Sequence, residues 1–218
     1  MRPALATLPA GVFVAALAGG ALGQQAAPQP ERGHELALNG NPDGAPPCSQ
    51  CHGLDGAGDP DAPYPRLADQ PAFYLYKQLN DYATGARQNE IMQPIAAALS
   101  DQERQDSAAY YASLDSPYKA APATAPEILE LGRTLAGVGS ANARVQACGN
   151  CHGPEGKGQP PTFPQLAGQY ATYAQAQLDA FRQGHRRNDV AAVMREIAGS
   201  LSEQEIAAVS AYLESVRP

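Results

Sequence analysis

Two stretches of the chain place apolar side chains at the three-to-four spacing of a helix face. In the first, Tyr74, Leu75, Leu79 and Tyr82 recur and Gly85 stands ready to end the run; in the second, Tyr173, Leu178 and Phe181 repeat the pattern up to Gly184. Ser100 with Glu103, and Ser202 with Glu205, form Ser-x-x-Glu capping boxes that open a last helix in each half. No stretch alternates polar and apolar residues as a strand does. The pattern predicts an all-α fold with long loops between helices.

The matching helices belong to a tandem duplication with a period near one hundred residues. CSQCHGLDGAG (48–58) matches CGNCHGPEGKG (148–158), and YPRLADQ (64–70) matches FPQLAGQ (163–169). YLYKQLNDYATGARQN (74–89) matches YAQAQLDAFRQGHRRN (173–188), and IMQPIAAALSDQE (91–103) matches VMREIAGSLSEQE (193–205). Each half is expected to be a self-sufficient domain, residues 24–115 and 127–218. Between them SPYKAAPATAP (116–126) carries Pro117, Pro122 and Pro126, which suits a semi-extended linker. Pro126 also suits the first position of the next helix, EILELGRTL.

Composition narrows the setting. The 218 residues are 44% hydrophobic and 17% charged, a globular balance, and the net charge of −7 argues against a nucleic-acid partner. Residues 4–23 are uncharged and rich in Ala, Val and Gly, and Ala21-Leu22-Gly23 offers a small-x-small cleavage pattern. Residues 1–23 therefore read as a signal peptide cut after Gly23, which makes the mature chain an exported one. The rival is a retained membrane anchor; weakly apolar Ala and Gly and the break at Pro9 favour cleavage. Export would place the four cysteines in an oxidising compartment.

Each Cys-x-x-Cys is followed at once by histidine: Cys48, Cys51 and His52, then Cys148, Cys151 and His152. A structural zinc needs four closed ligands, and joining two pairs this far apart would violate the independence of the repeats. A thioredoxin-type disulfide needs a βαβ context and has no use for the histidine. Covalent haem attachment uses all three residues: two thiols bond the porphyrin edge and the imidazole binds iron. The mature chain holds two methionines, Met92 and Met194, at 40 and 42 residues beyond His52 and His152. A lone Met usually fills a gap in a core, but one per haem motif at matching places points to the second axial ligand. His34 and His185 lack counterparts in each other's repeat and read as surface or helix histidines. A His/Met pair fills both axial positions, which favours electron transfer over catalysis.

CHGxxGxG, then Y/FPxLA-x-Q, a QL-x-x-aromatic helix and Met before LS-D/E-QE, all twice over, resemble the dihaem cytochrome c4 family across residues 30 to 216. The resemblance implies two class I cytochrome c domains packed about a pseudo-twofold, each around one covalent haem, with haem propionates facing the interface. It implies a soluble or peripherally attached periplasmic electron carrier linking a quinol-oxidising donor to a terminal oxidase. By the same analogy the Pro65 and Pro164 carbonyls accept from the proximal histidines, and Leu67 and Leu166 pack on the haem faces; the alternative for the prolines is a plain turn. Two departures bear on loop shape: Asp69 stands where the second copy has Gly168, and Met194 lacks the proline of the Met92-Gln-Pro run.

Charge divides the halves. Residues 24–118 carry five basic and thirteen acidic side chains, net −8, whereas residues 119–218 carry nine of each. The plain reading is a solvated surface; the sharper one is that the halves meet different partners and give the electron a direction. The competing function is an enzyme or a subunit of one, such as the cytochrome subunit of a periplasmic dehydrogenase, which requires only a docking surface.

Overall fold

The computed structural model describes residues 26–140 and 145–218; the export segment read at 1–23 lies outside them. The described residues are mostly helical, and their only β contacts are isolated bridges such as Asp59 with Tyr64 and Gln159 with Phe163. The first half contains α1 (Pro30–Asn39), α2 (Ser49–His52), α3 (Ala72–Ala83), α4 (Met92–Ala97) and α5 (Asp101–Ala112). The second contains α6 (Pro126–Gly137), α7 (Gly149–His152), α8 (Ala171–Arg182), α9 (Val193–Ser200) and α10 (Glu203–Ser215). The packing repeats as well. α5 lies against α1 and α3 as α10 lies against α6 and α8, and α4 meets α3 as α9 meets α8.

Each half buries its own apolar core. Ala37, Leu75, Ala108, Tyr110 and Tyr111 cluster in the first, and Leu135, Val145, Leu201, Ile206, Val209 and Leu213 in the second. Among the described residues no apolar cluster draws from both halves. Pro126 is the first residue of α6. The preceding segment has no regular structure and runs beside the C-terminal end of α10, where Tyr118 Oη donates to Ser215 O at 3.2 Å.

The crossing of the first and last helix in each half depends on one glycine. A Cβ at Gly33 in α1 would lie 2.1 Å from Asp106 O and 2.6 Å from Tyr110 Cβ of α5. At Gly132 in α6 it would lie 2.2 Å from Ala208 O and 2.6 Å from Tyr212 Cβ of α10. These are backbone clashes that no side-chain rotation relieves. Both capping boxes form. Ser100 N donates to Glu103 Oε2 at 2.7 Å and Ser202 N to Glu205 Oε2 at 2.9 Å, while the serine hydroxyls accept from the two glutamate N–H groups.

The two departures from the repeat have different outcomes. Asp69 takes φ 61° and Gly168 φ 66°, so the loop keeps its shape and the aspartate absorbs the left-handed strain. Asp69 N reaches Tyr111 O and Gly168 N reaches Leu213 O, equivalent points on α5 and α10. The methionine segments do differ. Asn89 Oδ1 accepts from Ile91 N and Met92 N, and α4 starts at Met92. In the second half a 3-10 turn, Val190–Ala192, intervenes, with Ala191 and Ala192 both at positive φ, and Asp189 Oδ2 accepts from Arg195 N instead.

Two predictions follow from these contacts. Gly33→Ala and Gly132→Ala each lower unfolding free energy by about 2–3 kcal/mol through overpacking, read as a shifted urea midpoint. The Glu205 carboxyl is held below the usual glutamate range chiefly by the Ser202 N–H; Glu103 is also held low, because hydrogen bonds from Ser100 outweigh the upward push of burial. A lowered folded value stabilises fully above the ordinary value of about 4.3 and is lost as pH falls through the folded value. Glu205→Gln therefore flattens the fall in stability from about pH 5 to 3, measured by urea unfolding across that range.

Candidate haem sites and the surface between them

α2 and α7 are single helical turns, and that brevity sets the geometry. Cys48 O accepts from Cys51 N at 3.3 Å and from His52 N at 3.0 Å; Cys148 O accepts from Cys151 N at 3.2 Å and His152 N at 2.9 Å. Residues three apart in one turn share a face, so the two thiols project together and the histidine follows on the next step. All four cysteines are half-buried, and none is paired in a disulfide. After each turn the glycine-rich loop doubles back: Gly58 N donates to His52 O at 2.8 Å and Gly158 N to His152 O at 2.6 Å. Gly56 O then accepts from Leu67 N and Ala68 N, and Gly156 O from Leu166 N and Ala167 N.

This folding-back delivers a proline carbonyl to each imidazole. His52 Nδ1 lies 3.1 Å from Pro65 O and His152 Nδ1 lies 2.9 Å from Pro164 O. Each contact makes Nδ1 the protonated nitrogen and leaves the Nε2 lone pair for a metal. Both histidines are buried, and burial outweighs the carbonyl in holding their pKa below the ordinary value. Leu67 packs on the Leu75 and Tyr111 cluster and Leu166 on the Val209 and Leu213 cluster. Met92 opens α4 and Met194 sits in the first turn of α9, both half-buried. His34 meets the Tyr110 ring at a tilt from within α1, with ring centroids 5.2 Å apart, and His185 is exposed beyond α8.

The halves meet through polar side chains that the sequence reading passed over. Arg66, Arg87 and Arg186 are only 1%, 5% and 8% exposed. Arg87 donates across to Tyr173 Oη at 2.9 Å and Gln177 Oε1 at 2.7 Å, and within its own half to Gln78 Oε1 at 2.9 Å. Arg186 returns the arrangement, to Tyr74 Oη at 3.4 Å, Gln78 Oε1 at 3.0 Å and its own Gln177 Oε1 at 3.0 Å. Each guanidinium also covers an aromatic ring of its own half, Arg87 over Tyr82 at 4.6 Å and Arg186 over Phe181 at 4.5 Å. Reciprocal contacts between repeat-equivalent residues are what an approximate twofold requires.

A second reciprocal set lies beside the proline carbonyls. Gln169 accepts from Arg66 N at 3.0 Å and donates to Arg66 O at 3.0 Å; Gln70 accepts from Gln165 N at 3.1 Å and donates to Gln165 O at 2.8 Å. The symmetry is broken by one side chain, since Arg66 faces a repeat-equivalent glutamine. Arg66 Nη2 reaches Gln165 Oε1 and Ala167 O, while Nε and Nη1 are buried without a hydrogen-bond partner. A buried guanidinium with two idle donors suits a carboxylate. Taken with paired thiols and a tautomer-fixed imidazole, the residues fit a c-type haem with its propionates. Arg87→Met removes three hydrogen bonds at a buried surface and takes the donor from the Tyr173 hydroxyl, while Gln78 and Gln177 keep Arg186. It is expected to cost about 2 kcal/mol, read by urea unfolding, and to speed proteolysis of the segment between α5 and α6.

The cytochrome c family profile matches residues 30–115 and 138–217. A protein of Stutzerimonas stutzeri (strain A1501) described as a thiosulfate dehydrogenase electron acceptor is 45% identical over 169 residues, covering 78% of each chain. Cytochrome c4 of Thiocapsa roseopersicina is 42% identical over 198 residues, 88% of this chain and 97% of that one. Among solved structures, the thiosulfate dehydrogenase TsdBA of Marichromatium purpuratum superposes with a TM-score of 0.80 at 36% identity, over 86% of this chain and 40% of its own. The chain therefore belongs to the dihaem cytochrome c4 family, two cytochrome c domains in tandem that each carry one covalently bound c-type haem and together serve as an electron carrier.

Proposed function

We propose that this chain is a periplasmic shuttle that takes single electrons from a periplasmic dehydrogenase of the thiosulfate-oxidising class and passes them toward a terminal oxidase. The donor class is supported by the 45% identical electron acceptor and by the TsdBA likeness; the acceptor is the part the cytochrome c4 resemblance implies. The chain would act as a free carrier or as the cytochrome subunit of the dehydrogenase complex, the second supported by the TsdBA likeness. No described helix is long and apolar enough to cross a membrane.

The observation that carries this reading is the pair of imidazoles, each directly after a Cys-x-x-Cys pair and each held at Nδ1 by a proline carbonyl. In the proposed assignment Cys48 and Cys51 tether the first haem, with His52 and Met92 as axial ligands. Cys148, Cys151, His152 and Met194 do the same for the second. The domain boundaries are then 24–115 and 127–218, joined by 116–126. When bound, each haem supplies a one-electron ferric/ferrous couple. The protein's part would be to offer each iron its own imidazole and thioether, leaving no position for substrate. Pro65 and Pro164 fix the imidazole tautomer, and the reciprocal interface keeps the two sites at one separation. The acidic first half, net −8 against zero, would steer a basic partner face and lower the potential of the haem beside it.

The test is stopped-flow reduction of the ferric protein by thiosulfate dehydrogenase with thiosulfate. Both haems are expected to be reduced at a rate that rises with enzyme concentration and falls with added salt; reduction no faster than with thiosulfate alone overturns the donor assignment. Optically, the ferric protein should show the sulfur-to-iron charge-transfer band. Met92→Ala should remove about half of it and open one iron to carbon monoxide after reduction.

A further inference from the structure

The reciprocal glutamine contacts end on a particular pair of peptide groups. The amide joining Pro65 to Arg66 has its oxygen 3.1 Å from His52 Nδ1 and donates from its nitrogen to Gln169 Oε1 at 3.0 Å. The amide joining Pro164 to Gln165 has its oxygen 2.9 Å from His152 Nδ1 and donates to Gln70 Oε1 at 3.1 Å. Each imidazole is therefore separated by a single peptide group from a glutamine of the opposite half. The glutamines cannot turn their amides around without loss. Gln169 Nε2 donates to Arg66 O and Gln70 Nε2 to Gln165 O, which fixes Oε1 toward the N–H. Gln70 and Gln169 are both buried, so water does not compete for these contacts.

An amide that donates at nitrogen gathers negative charge on its oxygen and becomes a stronger acceptor, since hydrogen bonds in a chain polarise one another. A stronger acceptor at Nδ1–H makes the imidazole a more basic ligand, and a more basic ligand favours the ferric state. We infer that the halves tune each other: Gln169 of the second half lowers the reduction potential of the first haem, and Gln70 of the first half lowers that of the second. Both act as positioning residues, through the proline carbonyls. The inference rests on the assignment of His52 and His152 as iron ligands. It follows that each potential depends on the halves being docked, so a partner that pried them apart would raise both.

The experiment uses the full-length protein with both haems, as wild type, Gln169→Leu and Gln70→Leu. Redox titration is followed haem by haem through resolved haem-methyl proton resonances. Gln169→Leu should favour the ferrous first haem by at least about threefold, about 28 mV at ~59 mV per tenfold change, and move the second by less than half as much. Gln70→Leu should do the reverse. In the ferrous protein the His52 Nδ1–H resonance should move upfield in Gln169→Leu while that of His152 stays. Equal shifts at both haems in either variant, as a merely loosened interface would give, overturn the inference; so does a shift confined to the haem of the mutated half. The wild type tests the ligand assignment separately. Absence of hyperfine-shifted imidazole signals from two histidines in the ferric state overturns that assignment, whereas their presence with uncrossed shifts overturns the coupling alone.

Discussion

A buried imidazole that is to bind iron through Nε2 must place its Nδ1 proton on an acceptor, and in each half that acceptor is a proline carbonyl. The requirement shapes the chain around it. The glycine-rich loop has to fold back over its own helical turn, Gly56 and Gly156 have to anchor the returning segment, and the leucine after the next residue has to lie on the core. A peptide group has two ends, however. Once its oxygen serves the histidine, its buried N–H needs an acceptor as well. Neither half supplies one by itself; Gln169 and Gln70 supply it across the interface. The need to satisfy one amide thus ties cofactor geometry to the association of the two domains.

That association is unusual in its material. The apolar clusters stop within each half, and the contact surface is built from buried arginines, glutamines and tyrosines. Arg87 and Arg186 find neutral acceptors and aromatic faces as partners, which disperses their charge while leaving it in place. Such a surface is specific because Arg87 and Arg186 meet their cross-interface acceptors only in one register, and misregistration strands charges away from water. It also holds positive charge between two sites whose cofactors bring negative propionates. Arg66 makes the arrangement unequal, because its repeat equivalent Gln165 is neutral, and this adds to the excess of acidic residues in the first half as a reason for the two haems to differ.

The parts legible in the sequence were those determined locally. The Cys-x-x-Cys-His turns, the capping boxes at Ser100 and Ser202, the start of α6 at Pro126 and the all-helical repeat are each specified by neighbours a few residues apart, and the structure contains them. The interface was not legible, for a physical reason. Arg66, Arg87 and Arg186 look like surface residues in one dimension, and only partners about one hundred residues away make their burial tolerable. A signal was present: Tyr74, Gln78 and Arg87 recur as Tyr173, Gln177 and Arg186 at one spacing of 99. Polar identity at repeat-equivalent positions has no use in two separate cores, but it is what a self-complementary surface requires. Asp69 shows the opposite limit. Its non-glycine identity cast doubt on the loop, yet the contact to Tyr111 O holds the same left-handed backbone as Gly168.

The central claim is that the Arg66 and Gln165 amides are shared between an iron-binding histidine in one half and a glutamine in the other. Amide hydrogen exchange on the haem-loaded protein tests it directly. The account predicts that these two N–H groups exchange only when the halves separate or the protein unfolds, with protection matching that of the α5 and α10 core and lost together in Arg87→Met. Exchange of either amide at the rate of an exposed loop, while the helices stay protected, would contradict it.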